Sequence, residues 1–127
     1  MSKRPQPTDS ELEILEILWR QGPSTVRQVH EERQGGVGYT TILKLMQIMA
    51  DKGLLERDTS SRSHIYRPVE APDRTRSRLV GDLIDRAFSG SAGQLVLNAL
   101  SNQRASAEEL REIRALLASL ESEETSK

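Results

Sequence analysis

Apolar residues come in bursts along this chain, and the period of each burst predicts an element. Between residues 12 and 19 the run LEILEILW puts Leu12, Leu15 and Trp19 on one helical stripe and Ile14, Ile17 and Leu18 on the next. A helix apolar over more than half its girth belongs at the centre of a core. Thr8-Asp-Ser-Glu11 has the spacing of a capping box and marks its start, and Gln21-Gly22-Pro23 marks its end. Ser24-Thr25 then caps a second helix over roughly residues 25 to 33, with Val26 and Val29 facing inward. Gln34-Gly-Gly-Val-Gly38 reads as a flexible connection ending in a permissive helix cap.

A third helix follows from Tyr39. At about 100° per residue, Ile42, Leu45, Met46 and Met49 cover one side, Thr40, Lys44, Gln47 and Asp51 lie opposite, and Leu43 and Ile48 flank them. Past Gly53 the period shifts towards alternation, through Leu54-Leu55-Glu56-Arg57-Asp58, a polar turn at 59–63, and His64-Ile65-Tyr66-Arg67-Pro68-Val69. Three short helices closed by a two-stranded hairpin describe a winged helix-turn-helix over residues 1–70. In that fold the third helix enters a DNA major groove. Tyr39, Thr40 and Thr41 then sit at its leading turn, where the hydroxyls meet phosphates or base edges. Lys44 has the chemistry to donate to guanine, and Gln47 to pair with adenine. Arg62 and His64 at the hairpin tip suit a backbone or minor-groove contact. The same residues would also serve as an ordinary solvated helix face, or as a protein-docking face on a winged helix that reads no DNA sequence.

The period turns helical again beyond Pro72-Asp-Arg-Thr-Arg-Ser-Arg78. Leu79, Val80, Leu83, Ile84, Ala87 and Phe88 recur at helical spacing, and Gly90 and Gly93 interrupt before Leu95-Val-Leu-Asn-Ala-Leu100. Ser106-Ala-Glu-Glu109 is another capping box, and the helix it opens carries Leu110, Ile113, Leu117 and Leu120 as a coiled-coil-like seam. Three short helices over residues 71–127 cannot bury this surface alone. Either a second copy covers Leu83, Ile84, Phe88, Leu95 and the seam, or the segment folds back on its own winged helix. The expected class is therefore mainly α, a winged helix-turn-helix followed by a three-helix dimerisation module.

Composition narrows the chemistry. The chain has 127 residues, no cysteine and a formal net charge of −1. Disulfides, thiolate catalysis and cysteine-ligated metals are excluded. No apolar run approaches the length of a membrane span, so a cytoplasmic protein without membrane insertion is expected. Charge is nearly balanced in both halves, +1 over residues 1–69 and −2 over 70–127. A polyanion partner therefore requires cations gathered on one face. His30 and His64 are the only histidines and share no ligand frame, so neither a metal site nor another cofactor is expected. Phe88-Ser-Gly-Ser-Ala-Gly93 lacks the nucleophile-elbow pattern and has no histidine after it, and an enzyme is not expected.

The residues also carry a resemblance. Thr8-Asp-Ser-Glu-Leu-Glu-Ile-Leu15, Trp19, Thr25-Val-Arg-Gln-Val29, Gly38-Tyr-Thr-Thr-Ile42, Asp51-Lys-Gly-Leu-Leu55 and Ile65-Tyr66 together resemble the penicillinase-repressor family of bacterial transcription factors. The family includes repressors of β-lactamase and methicillin-resistance genes and copper-responsive repressors. The resemblance implies a homodimeric repressor, interlocked through its C-terminal helices, that occupies a pseudo-palindromic double-stranded operator and blocks transcription. In some relatives a membrane sensor with protease activity leads to cleavage between an asparagine and a phenylalanine. The corresponding place here is Asn98-Ala99, where the phenylalanine is missing, and Asn98 can equally be a polar residue that sets helix register. The cysteine-rich tail of the copper-responsive relatives is absent.

Overall fold

The computed structural model describes residues 6–33 and 35–125. Six helices and one antiparallel hairpin follow in the order α1 (Asp9–Gln21), α2 (Val26–Glu32), α3 (Tyr39–Lys52), β1 (Leu55–Asp58), β2 (Ile65–Pro68), α4 (Pro72–Ala87), α5 (Ala92–Asn102) and α6 (Ala107–Thr125). The chain divides into two compact units, one ending at Gly81 and one starting at Asp82.

In the first unit, local capping chemistry places the helices. Thr8 Oγ1 accepts from the Glu11 N–H at 3.2 Å, and Glu11 Oε1 accepts from the Thr8 N–H at 3.0 Å, so two orphan amides of α1 are satisfied reciprocally. Thr25 and Gln28 repeat the arrangement at the start of α2, at 3.1 and 2.9 Å. The loop before α3 is described from Gly35 onward, Gln34 lying outside the described residues; Gly35 and Gly36 have φ of 106° and 74°, which side chains with a Cβ resist. Gly53, at φ 87°, closes α3 in the left-handed conformation and returns its N–H to the Ala50 carbonyl at 3.2 Å.

These elements enclose one core. Ile14, Leu15, Ile17 and Leu18 of α1 meet Val26 and Val29 of α2, Ile42, Met46 and Met49 of α3, and Leu55 and Tyr66 of the hairpin. Each fully buried aliphatic side chain contributes about 1.5–3 kcal/mol of transfer free energy, enough to fix the α3 stripe inward. The register Leu55↔Pro68 to Asp58↔Ile65 sets Tyr66 opposite Arg57. An isolated bridge joins the hairpin to the head of α2, with Ser24 N–H donating to Tyr66 O at 3.0 Å and Tyr66 N–H to Ser24 O at 2.8 Å.

In the second unit, Ser91 caps α5 by accepting from the Gln94 N–H at 3.1 Å. The expected box at the start of α6 is present, with Ser106 and Glu109 exchanging bonds of 2.9 and 3.0 Å. No described residue from Arg76 onward is buried.

Candidate nucleic-acid interface

The inward pull of Ile42, Met46 and Met49 dictates what α3 shows outside. Thr40, Thr41, Lys44, Gln47 and Asp51 are exposed, and Tyr39 at the leading turn is 45% exposed. Beside this face lies an open groove of about 440 Å³ between the start of α2, α3 and the hairpin. Of the residues predicted to meet DNA, Tyr39, Gln47, Arg62 and His64 line it together. Thr40, Thr41 and Lys44 are not among its lining residues and occupy the exposed face of the same helix.

Sequence reasoning missed four hydrophilic members of the groove, Thr25, Arg27, Arg57 and Ser63. Thr25 and Arg27 come from the capped start of α2, and Arg57 comes from β1. The bridge between Ser24 and Tyr66 links these two elements, because it ties the start of α2 to the strand opposite Arg57. Arg27 had only a weak signal, a cation two residues after a cap. Arg57 had alternation along β1, which puts it on the face opposite that of Glu56.

The charges sort themselves. Glu11 pairs with Lys52 at 2.7 Å, Glu13 with Arg33 at 2.7 Å, Glu32 with Arg20 at 3.4 Å and Glu56 with Arg67 at 3.1 Å. Arg27, Lys44, Arg57 and Arg62 have no acidic partner within 4.0 Å among the described residues. Four cations without an acidic partner thus lie on and beside one groove, the clustering that a polyanion partner requires in a chain of net charge −1.

His30 has a positioning role. Its Nε2 lies 3.0 Å from the Val37 carbonyl, which requires the ring proton on that nitrogen, and its ring packs edge-on against Tyr39 with centroids 5.8 Å apart. The imidazole therefore ties the glycine-rich loop to the leading turn of α3. At the hairpin, hydrogen bonds from Ser60, through its side chain and its backbone, hold the Asp58 carboxyl below its ordinary value; the backbone bond is 2.9 Å. Backbone and side-chain hydrogen bonds from Ser106 lower Glu109 in the same sense at the start of α6. No helix among the described residues is long and apolar enough to cross a membrane.

The expected dimer residues lie on α4, on α5 and on α6, with Phe88 just past the end of α4. Leu83, Leu117 and Leu120 are about half exposed, at 48%, 50% and 51%, and Ile84, Phe88, Leu95, Leu110 and Ile113 are half-buried. Val96, Leu97, Leu100 and Leu116 add exposed apolar surface. Asn98 and Ala99 are exposed inside α5, where their carbonyls accept from Asn102 Nδ2 and from the Gln103 N–H, both at 2.9 Å.

The sequence matches the penicillinase repressor family over residues 7–119. It is 33% identical over 124 residues to the transcriptional regulator BlaI of Mycobacterium tuberculosis (strain H37Rv), covering 95% of this chain and 89% of that protein. It is 27% identical over 120 residues to the penicillinase repressor of Bacillus licheniformis, covering 92% and 93%. A solution structure of the monomeric form of Bacillus licheniformis BlaI in complex with the blaP half-operator is similar with a TM-score of 0.49 and 25% identity, over 57% of this chain and 92% of that one. On the two sequence findings, a family match that takes in the winged helix and most of the helical unit and a full-length relative at one-third identity, the chain belongs to the penicillinase repressor family.

Proposed function

We propose that this DNA-binding transcriptional repressor works in the cytoplasm as a homodimer, each protomer setting α3 into the major groove of one half of a pseudo-palindromic operator. The observation that carries the reading is the set of four unpaired cations, Arg27, Lys44, Arg57 and Arg62, on and beside the groove that Tyr39 and Gln47 also line. Arg27, Arg57 and Arg62 hold phosphates and so fix the register, while Lys44 and Gln47 read base edges and the Thr41 methyl packs on a thymine. The role carried by this site is binding, with no catalytic step. A protein-docking winged helix is not favoured, since the chain's family is one of transcriptional repressors.

One head makes few contacts, and non-specific binding by such modules lies at about 10⁻⁴ to 10⁻⁶ M. The exposed leucines of α4 to α6 provide for a second copy, and joining two heads adds roughly 10² to 10⁴ in avidity. Repression follows from occupancy, because a dimer seated on a promoter excludes polymerase. It ends when the dimer is lost. A membrane sensor protease system cutting at Asn98-Ala99 would divide the module, and it would first have to unwind the surrounding turn of α5, whose carbonyls are engaged.

Titration of the full chain onto fragments recovered from genomic DNA tests the reading. Three phosphate-holding arginines per head make about six phosphate contacts per dimer, so log K falls against log salt with a slope of about −5. Failure to enrich any fragment at low salt, or binding indifferent to salt, refutes operator reading.

A further inference from the structure

Helix α4 is continuous from Pro72 to Ala87, yet the division between the two compact units falls inside it, between Gly81 and Asp82. Its first half is fastened to the winged helix. Thr75 is buried and its Oγ1 donates to Glu70 Oε1 at 3.2 Å; Arg78 donates to the same carboxylate. The Glu70 carbonyl in turn accepts from Trp19 Nε1 at 3.0 Å, and the Arg76 guanidinium lies 5.8 Å from the Trp19 ring centroid. After Gly81 the helix resumes with the Asp82–Arg86 pair at 3.2 Å and carries Leu83 and Ile84.

Gly81 has no local reason to be glycine. It is not among the glycines with positive φ, and a Cβ built on it meets nothing within 4 Å. Glycine is among the poorest helix formers, and in a helix interior it leaves the backbone free to bend. The other helical glycine among the described residues, Gly93, lies in the first turn of α5, where its cost is small.

We propose that Gly81 is a hinge that lets each reading head re-aim during operator binding, so that one dimer accepts half-sites at more than one spacing. This makes Gly81 a determinant of spacing specificity, and it rests on the dimeric operator-reading function above. Hinges occur where a few residues absorb the backbone change between bodies that are each held together.

The test uses the full chain, its Gly81→Ala variant, and a genomic fragment enriched by the wild type, with the spacer between half-sites changed by one or two base pairs. Gly81→Ala is expected to bind the original spacing as well as wild type and to bind altered spacings roughly five-fold more weakly, the factor set by alanine's helix preference over glycine. Identical spacing profiles overturn the hinge. A second readout needs no DNA: the chain lacks cysteine, so Thr59→Cys takes a single spin label on each hairpin. The label-to-label distance distribution in the dimer should narrow with Gly81→Ala, and an unchanged distribution also overturns the proposal. If wild type enriches no fragment, operator reading has failed, whereas the label distances still decide the hinge.

Discussion

Lys52→Met tests how α3 is held. Lys52 closes the last turn of α3, and its Nζ lies 2.7 Å from Oε1 of Glu11, a carboxylate only 3% exposed at the start of α1. Methionine keeps the apolar stem and removes the charge, which leaves Glu11 with the Thr8 N–H at 3.0 Å. Breaking a buried ion pair by removing one partner costs about 3–5 kcal/mol. The Lys52 side chain is 30% exposed, so water reaches the vacated position and a loss of about 2–3 kcal/mol is expected. Trp19, the sole tryptophan, reports unfolding of this unit, since its indole N–H is bonded to Glu70 O. With an m-value near the low end of the range of about 1–3 kcal/mol/M in urea, the midpoint should fall by roughly 2 M. Adding Glu11→Gln removes the stranded charge while keeping an acceptor for the Thr8 amide, so the double variant should recover most of the loss. A Lys52→Met midpoint within about 0.5 M of wild type, or a double variant less stable than the single one, would show that this pair does not anchor α3.

Gln47→Ala should flatten preference at one base position by about 1–3 kcal/mol, whereas Arg62→Ala should weaken all sequences alike and reduce the salt slope by about 1; binding to a panel of point-substituted operators separates the two. Replacing Ile113 and Leu117 together with Asp should yield monomers in sedimentation velocity, with the Trp19 unfolding signal retained; persistence of the dimer refutes the seam. Because the Asp58 carboxyl is held below its ordinary value of 3.8, its bonds to Ser60 support the hairpin tip fully above that value and are lost as pH falls through the lowered one. Amide shifts of Ser60 should therefore titrate below pH 3.8 in wild type, and Asp58→Ala should abolish that step.

Much of this molecule was legible along the chain because its signals are local. A capping box joins residues three apart, so Thr8 with Glu11 and Ser106 with Glu109 could be read directly, and α1, α3 and the hairpin announce themselves by period. The outward face of α3 followed from the inward one, since Ile42, Met46 and Met49 leave Thr40, Lys44 and Gln47 nowhere to point but outside. What spacing could not supply was partnership. Glu11 with Lys52, Ser24 with Tyr66, and Trp19 with Glu70 are separated by tens of residues, and no periodicity marks such pairs. They form because burial of one core brings those backbones together, after which acids such as Glu11 and Glu13 meet cations distant along the chain. That sorting left Arg27 and Arg57 unpaired beside Tyr39 and Gln47, and it fastened the first half of α4 to the winged helix. The sequence by itself determined the elements and their faces; folding decided which charges were paired and which were left without a partner beside the groove, because electrostatic pairing depends on distance in space and not on distance along the chain.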